Sequence, residues 1–259
     1  MSVRQLFNLT GKVALVTGGS RGLGLQMAEA LGEMGARVAI TARKLQELDE
    51  AAKRLQTMGI EVLPLVCDMA VVATIPPMVE RIIADLGPID ILVNNAGTTW
   101  GAATIDHPLQ AWHKVIDLNL TAMFVVTQEV GKRCMVTLGR GKVINVASIQ
   151  GLTGFYPEMS PTLAYNTSKG GVINFTRSLA VEWAQYNINV NAIAPGFFPT
   201  KMTKGILAAM GDEVAANIAP LKRVGGAEDL KGVTVLLASE AGAFITGQIV
   251  AVDGGFTAM

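Results

Sequence analysis

Little in this chain supports a metal centre or a disulfide scaffold. Histidine occurs only as His107 and His113, and cysteine only as Cys67 and Cys134. No C-x-x-C pair is present, and two histidines are too few to make a catalytic zinc site a good reading. Charge is sparse as well. Charged residues are 16% of the 259, and 21 basic side chains balance 21 acidic ones. The one-sided charge of a nucleic-acid binder or a polybasic membrane anchor is therefore missing. No apolar run approaches the roughly 20 residues of a membrane span. The opening MSVRQLFNLTGK holds no stretch of signal-peptide length, so a reducing, cytoplasmic setting is expected. Half the residues are hydrophobic. That points to a large core plus apolar surface buried between copies of the chain.

What the chain does have is alternation. Short Val/Ile/Leu runs (VALVT, RVAIT, EVLPLV, DILVNN, KVINVAS, INVNAIAP, QIVAVDGG) alternate with helical patterns, including long ones at about 108–138 and 162–186. Such alternation predicts an α/β fold, a parallel sheet covered by helices. The strands are continuously apolar, as expected where both sheet faces are buried. No linker interrupts the chain, so one domain over 1–259 is expected.

TGGSRGLG lies between the first strand and the first helix, where glycines let backbone approach a pyrophosphate and the helix N-terminus offers free N–H groups. Gly18, Gly22 and Gly24 carry that spacing. About 20 residues on, where an NAD site places an acid for the ribose hydroxyl, the chain reads Thr41, Ala42, Arg43. Arg43, with Arg21 in the glycine loop, would fork to a 2′-phosphate, which favours NADP(H) over NAD(H). Tyr165 and Lys169 stand four apart and share a face if their segment is helical. Alone, that spacing fits a solvated helix face equally well.

In order along the chain come TGGSRGLG, NNAG at 94–97, Asn119 in DLNL, Ser148 in VINVAS, Tyr165 with Lys169, and APG at 194–196. Together they resemble the short-chain dehydrogenase/reductase family, from Gly11 to Gly255. The resemblance implies a Rossmann fold, a doubly wound seven-stranded parallel sheet with helices on both faces. It also implies a nicotinamide cofactor, reversible reduction of a ketone to a secondary alcohol, and a homotetramer or homodimer. Its cofactor residues would be Gly18, Ser20, Arg21, Gly22, Leu23 and Gly24, then Arg43, with Asp68 at the adenine and Met69 beside it. Asn94, Asn95, Ala96 and Gly97 would line the loop after the fourth strand. Pro195 and Gly196 would turn beside the nicotinamide, Thr200 would bond its carboxamide, and Phe198 and Met202 would lie nearby. Tyr165 would exchange the proton, its phenol made acidic by Lys169, which would also bond the nicotinamide ribose. Ser148 would orient the substrate oxygen, and Asn119 would hold a water linking Lys169 to solvent.

Ser148 and Tyr165 are 17 positions apart, a wider gap than the family commonly has, so residues 149–164 should form a lengthened loop over the substrate. Thr98, Trp100, Gln150, Tyr156, Phe198, Met202 and Leu207 are candidate pocket residues. The stretch 197–219 reads as a lid whose apolar side chains suit a partly nonpolar substrate. Two subfamilies compete: gluconate 5-dehydrogenase-like members and 3-oxoacyl-acyl-carrier-protein reductases. The latter usually carry a basic docking residue where this chain has Tyr186 and Asn187, although Lys132, Arg133 and Arg140 leave a basic patch open. A catalytically silent nucleotide-binding regulator is disfavoured, because both Tyr165 and Lys169 are present.

Overall fold

Continuous apolar runs can be satisfied only where both faces of a strand are covered, and the computed structural model shows that arrangement. It describes residues 1–154, 161–211 and 217–259. The strands are β1 (Val13–Thr17), β2 (Arg37–Ala42), β3 (Val62–Val66), β4 (Ile91–Asn94), β5 (Gly141–Val146), β6 (Ile188–Pro195) and β7 (Ile249–Val252). They form one parallel sheet in the order β3-β2-β1-β4-β5-β6-β7.

Strand β1 shows how the two layers are built. Val13 and Leu15 face one core, packed under α4 (Ile75–Leu86) and α6 (Ala122–Val130). Ala14 and Val16 face the other, under α2 (Gly22–Glu33), α3 (Leu45–Thr57) and α10 (Lys231–Ala238). Strand order reverses between β1 and β4, and a crevice opens there at the carboxyl ends of the strands. The expected Rossmann sheet is thus the observed one.

Differences from expectation lie at element ends. A short α1 (Val3–Leu6) is closed by a capping box between Ser2 and Gln5. Helix α4 begins at Ile75, before two prolines, because a first helical turn has no N–H bonds for proline to break. The long section at 109–138 is helical throughout, but its α segments α5 (Leu109–Ile116), α6 and α7 (Val136–Leu138) are separated by π turns at Asp117–Thr121 and Gly131–Met135. Helix α8 (Leu163–Trp183) lies against β6. The irregular stretch after β6 contains α9 (Lys204–Met210). Among the described residues, no helix is long and apolar enough to cross a membrane.

Two polar devices hold the layers in register. Under the crevice, Asn94 Nδ2 donates to Asn145 Oδ1 at 2.8 Å and to Thr127 Oγ1 at 2.9 Å, while Asn145 Nδ2 donates to Thr176 Oγ1 at 2.9 Å. These bonds tie β4 and β5 to α6 and α8. On the opposite layer, Glu29 is 2% exposed and pairs with Arg54 at 2.6 Å and Lys231 at 3.3 Å, joining α2 to α3 and α10. Glu29 is shared by both cations, so its loss breaks both contacts and empties a buried position, whereas loss of the exposed Arg54 still leaves Lys231 on the carboxylate. Glu29→Ala is expected to cost about 3 kcal/mol in urea unfolding, and Arg54→Ala at most about 1 kcal/mol. Equal losses would contradict the central role of Glu29.

Candidate active site

The crevice is a cleft of about 1050 Å³. One wall is the glycine loop, and its geometry follows from what glycine permits. At Gly24 a Cβ would lie 2.4 Å from both Asn95 Nδ2 and the Gly18 carbonyl oxygen, so the loop can close only without a side chain there. Asn95 Nδ2 in turn donates to the Thr17 and Gly18 carbonyls at 2.9 and 3.0 Å, and Thr17 Oγ1 accepts from the amides of Asn95 and Ala96. The loops after β1 and β4 are thereby one unit. Helix α2 starts there with no side-chain cap and no acid in its first turn. Its open N–H groups and partial positive charge face the cleft, which suits an anionic diphosphate.

The other wall comes from the ends of β5 and β6, from α8 and from the segment after β6. Lys169 is 5% exposed. Its ammonium donates to the Val146 carbonyl at 2.6 Å and lies 5.6 Å from the centre of the Tyr165 ring. Burial pulls its pKa down to about 8. Burial pushes the Tyr165 phenol up, against a smaller lowering by its hydrogen bond with Ser148. Burial is thus the largest influence on this phenol. The ammonium is directed at a backbone carbonyl and the ring face rather than at the hydroxyl, so desolvation outweighs attraction.

Asn119 sits in the first π turn, 2% exposed. Its Oδ1 accepts from the Thr98 amide at 2.8 Å, and its Nδ2 donates to the Thr98 carbonyl and to Ser168 Oγ, each at 2.9 Å. Ser168 Oγ donates onward to the Tyr165 carbonyl at 2.7 Å. Both amide hydrogens of Asn119 are thus spent, which leaves only an acceptor for the water it was expected to hold. The π turn fits a residue that must leave regular helix to reach a loop. Beneath the site, Gly151 meets α8 closely: a Cβ there would lie 2.6 Å from the Lys169 carbonyl carbon.

The cleft brings together most of the expected residues. Gly18, Ser20, Arg21, Gly22, Leu23, Gly24, Arg43, Asp68, Met69, Asn95, Ala96, Gly97, Ser148, Tyr165, Lys169, Pro195, Gly196, Phe198, Thr200 and Met202 line it, as do Gln150 and Leu207. Asp68 also stabilises its own turn by accepting from the Ala70 amide at 3.1 Å.

Three expected residues are placed elsewhere. Asn94 points into the buried network, because strand alternation turns it away from the cleft. Thr98 serves Asn119 through its backbone instead of lining the cleft. Trp100 lies outside it, with the Lys114 ammonium 5.3 Å from its ring. Tyr156 falls outside the described residues. Sequence reasoning missed Thr41, Lys44, Glu47, Thr99, Thr162, Lys201 and Lys204, which also line the cleft. Thr41 carried a signal, since it stands where the NAD-type acid was sought. It is fully buried, and its hydroxyl has no hydrogen-bond partner among the described residues.

These features fit a dinucleotide: an uncapped helix N-terminus over a glycine loop, and cations at the far end of the cleft. Comparison with known proteins agrees. Residues 12–211 match the short chain dehydrogenase family. The chain belongs to the short-chain dehydrogenases. It is 37% identical to gluconate 5-dehydrogenase of Gluconobacter oxydans over 99% of each chain. It is also 37% identical to the rhamnolipids biosynthesis 3-oxoacyl-[acyl-carrier-protein] reductase of Pseudomonas aeruginosa, over 96% of this chain and 98% of that one. A crystal structure of a gluconate 5-dehydrogenase from Burkholderia cenocepacia in complex with NADP and tartrate superposes with a TM-score of 0.91, at 32% identity over the whole of both chains.

Two outcomes test this short-chain dehydrogenase site. Gly151→Ala forces backbone against backbone, so turnover should fall at least tenfold as α8 shifts at Lys169; unchanged turnover would show that the contact is slack. For Lys169, a lowered pKa means that the folded state binds fewer protons than the unfolded chain between about 8 and 10.5. Stability relative to Lys169→Met should then rise by roughly 3 kcal/mol as pH climbs through that window. A flat difference in urea unfolding would refute the buried charge.

Proposed function

We propose that this short-chain dehydrogenase is an NADP(H)-dependent reductase that reversibly converts the ketone of a keto-sugar acid, of the 5-ketogluconate kind, into a secondary alcohol. The observation that carries the reading is the meeting of Ser148, Tyr165 and Lys169 at the end of β5, in the same cleft as the glycine loop. Arg21 and Arg43 at its far end suit a 2′-phosphate. NAD(H) lacks that group and is the weaker cofactor.

Bound NADPH supplies the hydride, and the chain supplies the rest. A phenol held above its ordinary pKa stays protonated near neutrality, which is the form needed to donate to an oxygen gaining charge. Ser148, hydrogen-bonded to that phenol, offers its hydroxyl to the same substrate oxygen. The nearby ammonium of Lys169 stabilises the phenolate left behind. Asn119 positions Thr98 and, through Ser168, the first turn of α8. In the oxidising direction the phenol must lose its proton, so that rate should rise with pH.

Lys201 and Lys204 in the cleft suit a substrate carboxylate, and Ile149, Phe198 and Leu207 give it an apolar floor. The described residues 197–211 and 217–219 supply the lid, and the rest of the expected lid, 212–216, lies outside the described residues. The gluconate 5-dehydrogenase relatives support this substrate class. The reductase of acyl-carrier-protein thioesters is a second reading, favoured by the 3-oxoacyl relative. Against it, Arg133 contacts Glu129 and Glu80, and Arg140 contacts Asp90, so acids are interleaved with the basic residues available for docking. The protein is proposed to be cytoplasmic and a homotetramer or homodimer. Exposed apolar side chains on the helices, among them Leu109, Phe124 and Val181, support assembly.

Tyr165→Phe should cut turnover by about a thousandfold or more while NADP⁺ still binds in a calorimetric titration. Retained turnover would sink the proton-transfer role. Among substrates, kcat/KM should be higher for 5-ketogluconate than for 3-oxoacyl thioesters, and the reverse order would favour the second reading. No turnover of any ketone, with NADP⁺ still bound, would leave only a nucleotide-binding regulator.

A further inference from the structure

The cationic end of the cleft already contains an anion. Glu47, in the first turn of α3, presents both carboxylate oxygens to Arg21 Nη1 at 2.7 Å. Lys44 Nζ lies 3.5 Å from one of those oxygens. Arg21, Arg43, Lys44 and Glu47 all line the cleft. Arg21 is held there by geometry, being the residue before the first turn of α2, and Glu47 reaches it across 26 positions of sequence.

An NADP-type 2′-phosphate would need the cations that Glu47 now engages. A guanidinium edge that gives its N–H groups to one carboxylate has fewer left for a second anion. The carboxylate also repels a phosphate placed beside it. We propose that Glu47 is a cofactor-specificity residue, an internal stand-in that occupies Arg21 until the 2′-phosphate displaces it. Glu47 thereby lowers NADP(H) affinity and narrows the margin over NAD(H). This inference rests on the NADP reading of the same cleft.

The test is equilibrium binding of NADP⁺ and NAD⁺ by calorimetric titration, without turnover, to wild type, Glu47→Gln, Arg21→Ala and the double variant. Glu47 is a partly exposed surface group, so Glu47→Gln should keep the fold, and its melting temperature checks this. NADP⁺ should bind Glu47→Gln about fivefold more tightly, the scale of one exposed ion pair. In the Arg21→Ala background most of that gain should vanish, because the displaced partner is gone. An unchanged or weaker NADP⁺ affinity in Glu47→Gln overturns the proposal. So does an equal gain with and without Arg21, which would make Glu47 a general repulsive charge only. A wild type that prefers NAD⁺ would overturn the NADP reading itself. A wild type that prefers NADP⁺ but is indifferent to Glu47→Gln would overturn this inference alone.

Discussion

The buried ammonium of Lys169 is the constraint around which the site is organised. A lone charge taken out of water is costly, and here the Val146 carbonyl at the end of β5 and the face of Tyr165 offset part of that cost. Both partners must therefore be in place to within a few tenths of an ångström. The chain arranges this with backbone. Gly151 allows α8 to lie against the turn after β5, and Ser168 ties the first turn of α8 to Asn119 and the loop after β4. Deeper still, the bonds from Asn145 to Asn94 and Thr176 set α8 and the two central strands in register.

The far end of the cleft follows the opposite rule. Arg21, Lys44 and Glu47 are solvated, so their interactions are individually weak and exchangeable. A catalytic group has to be fixed, and burial fixes it. A binding group has to trade one anion for another, and exposure makes that trade cheap. The two ends of one cleft thus use the same kind of charge in different dielectric settings.

Much of the fold was legible in the sequence because its signals are local. Continuous apolar strands and amphipathic helices fixed both layers, and INVNAIAP is β6 residue for residue. The ends of elements were less legible, since Ile75 and the two prolines after it look like a loop until the helix is seen to start there. The catalytic candidates were readable as ordered motifs. Their burial was not: Tyr165 and Lys169 look like a solvated pair at helical spacing, yet neighbours distant in sequence desolvate both.

Asn94 and Asn95 show the same division. Both belong to NNAG, but strand alternation sends one into the buried network and leaves the other to close the glycine loop. Residue types and their order determined by themselves that this is a doubly wound fold of the short-chain dehydrogenases, with Tyr165 and Lys169 as its candidate proton-transfer pair. Only the tertiary structure decided which groups are desolvated, which hydrogen bonds are already spent, and that Glu47 meets Arg21. Those properties depend on distances between segments far apart in the chain, and no local pattern encodes such distances.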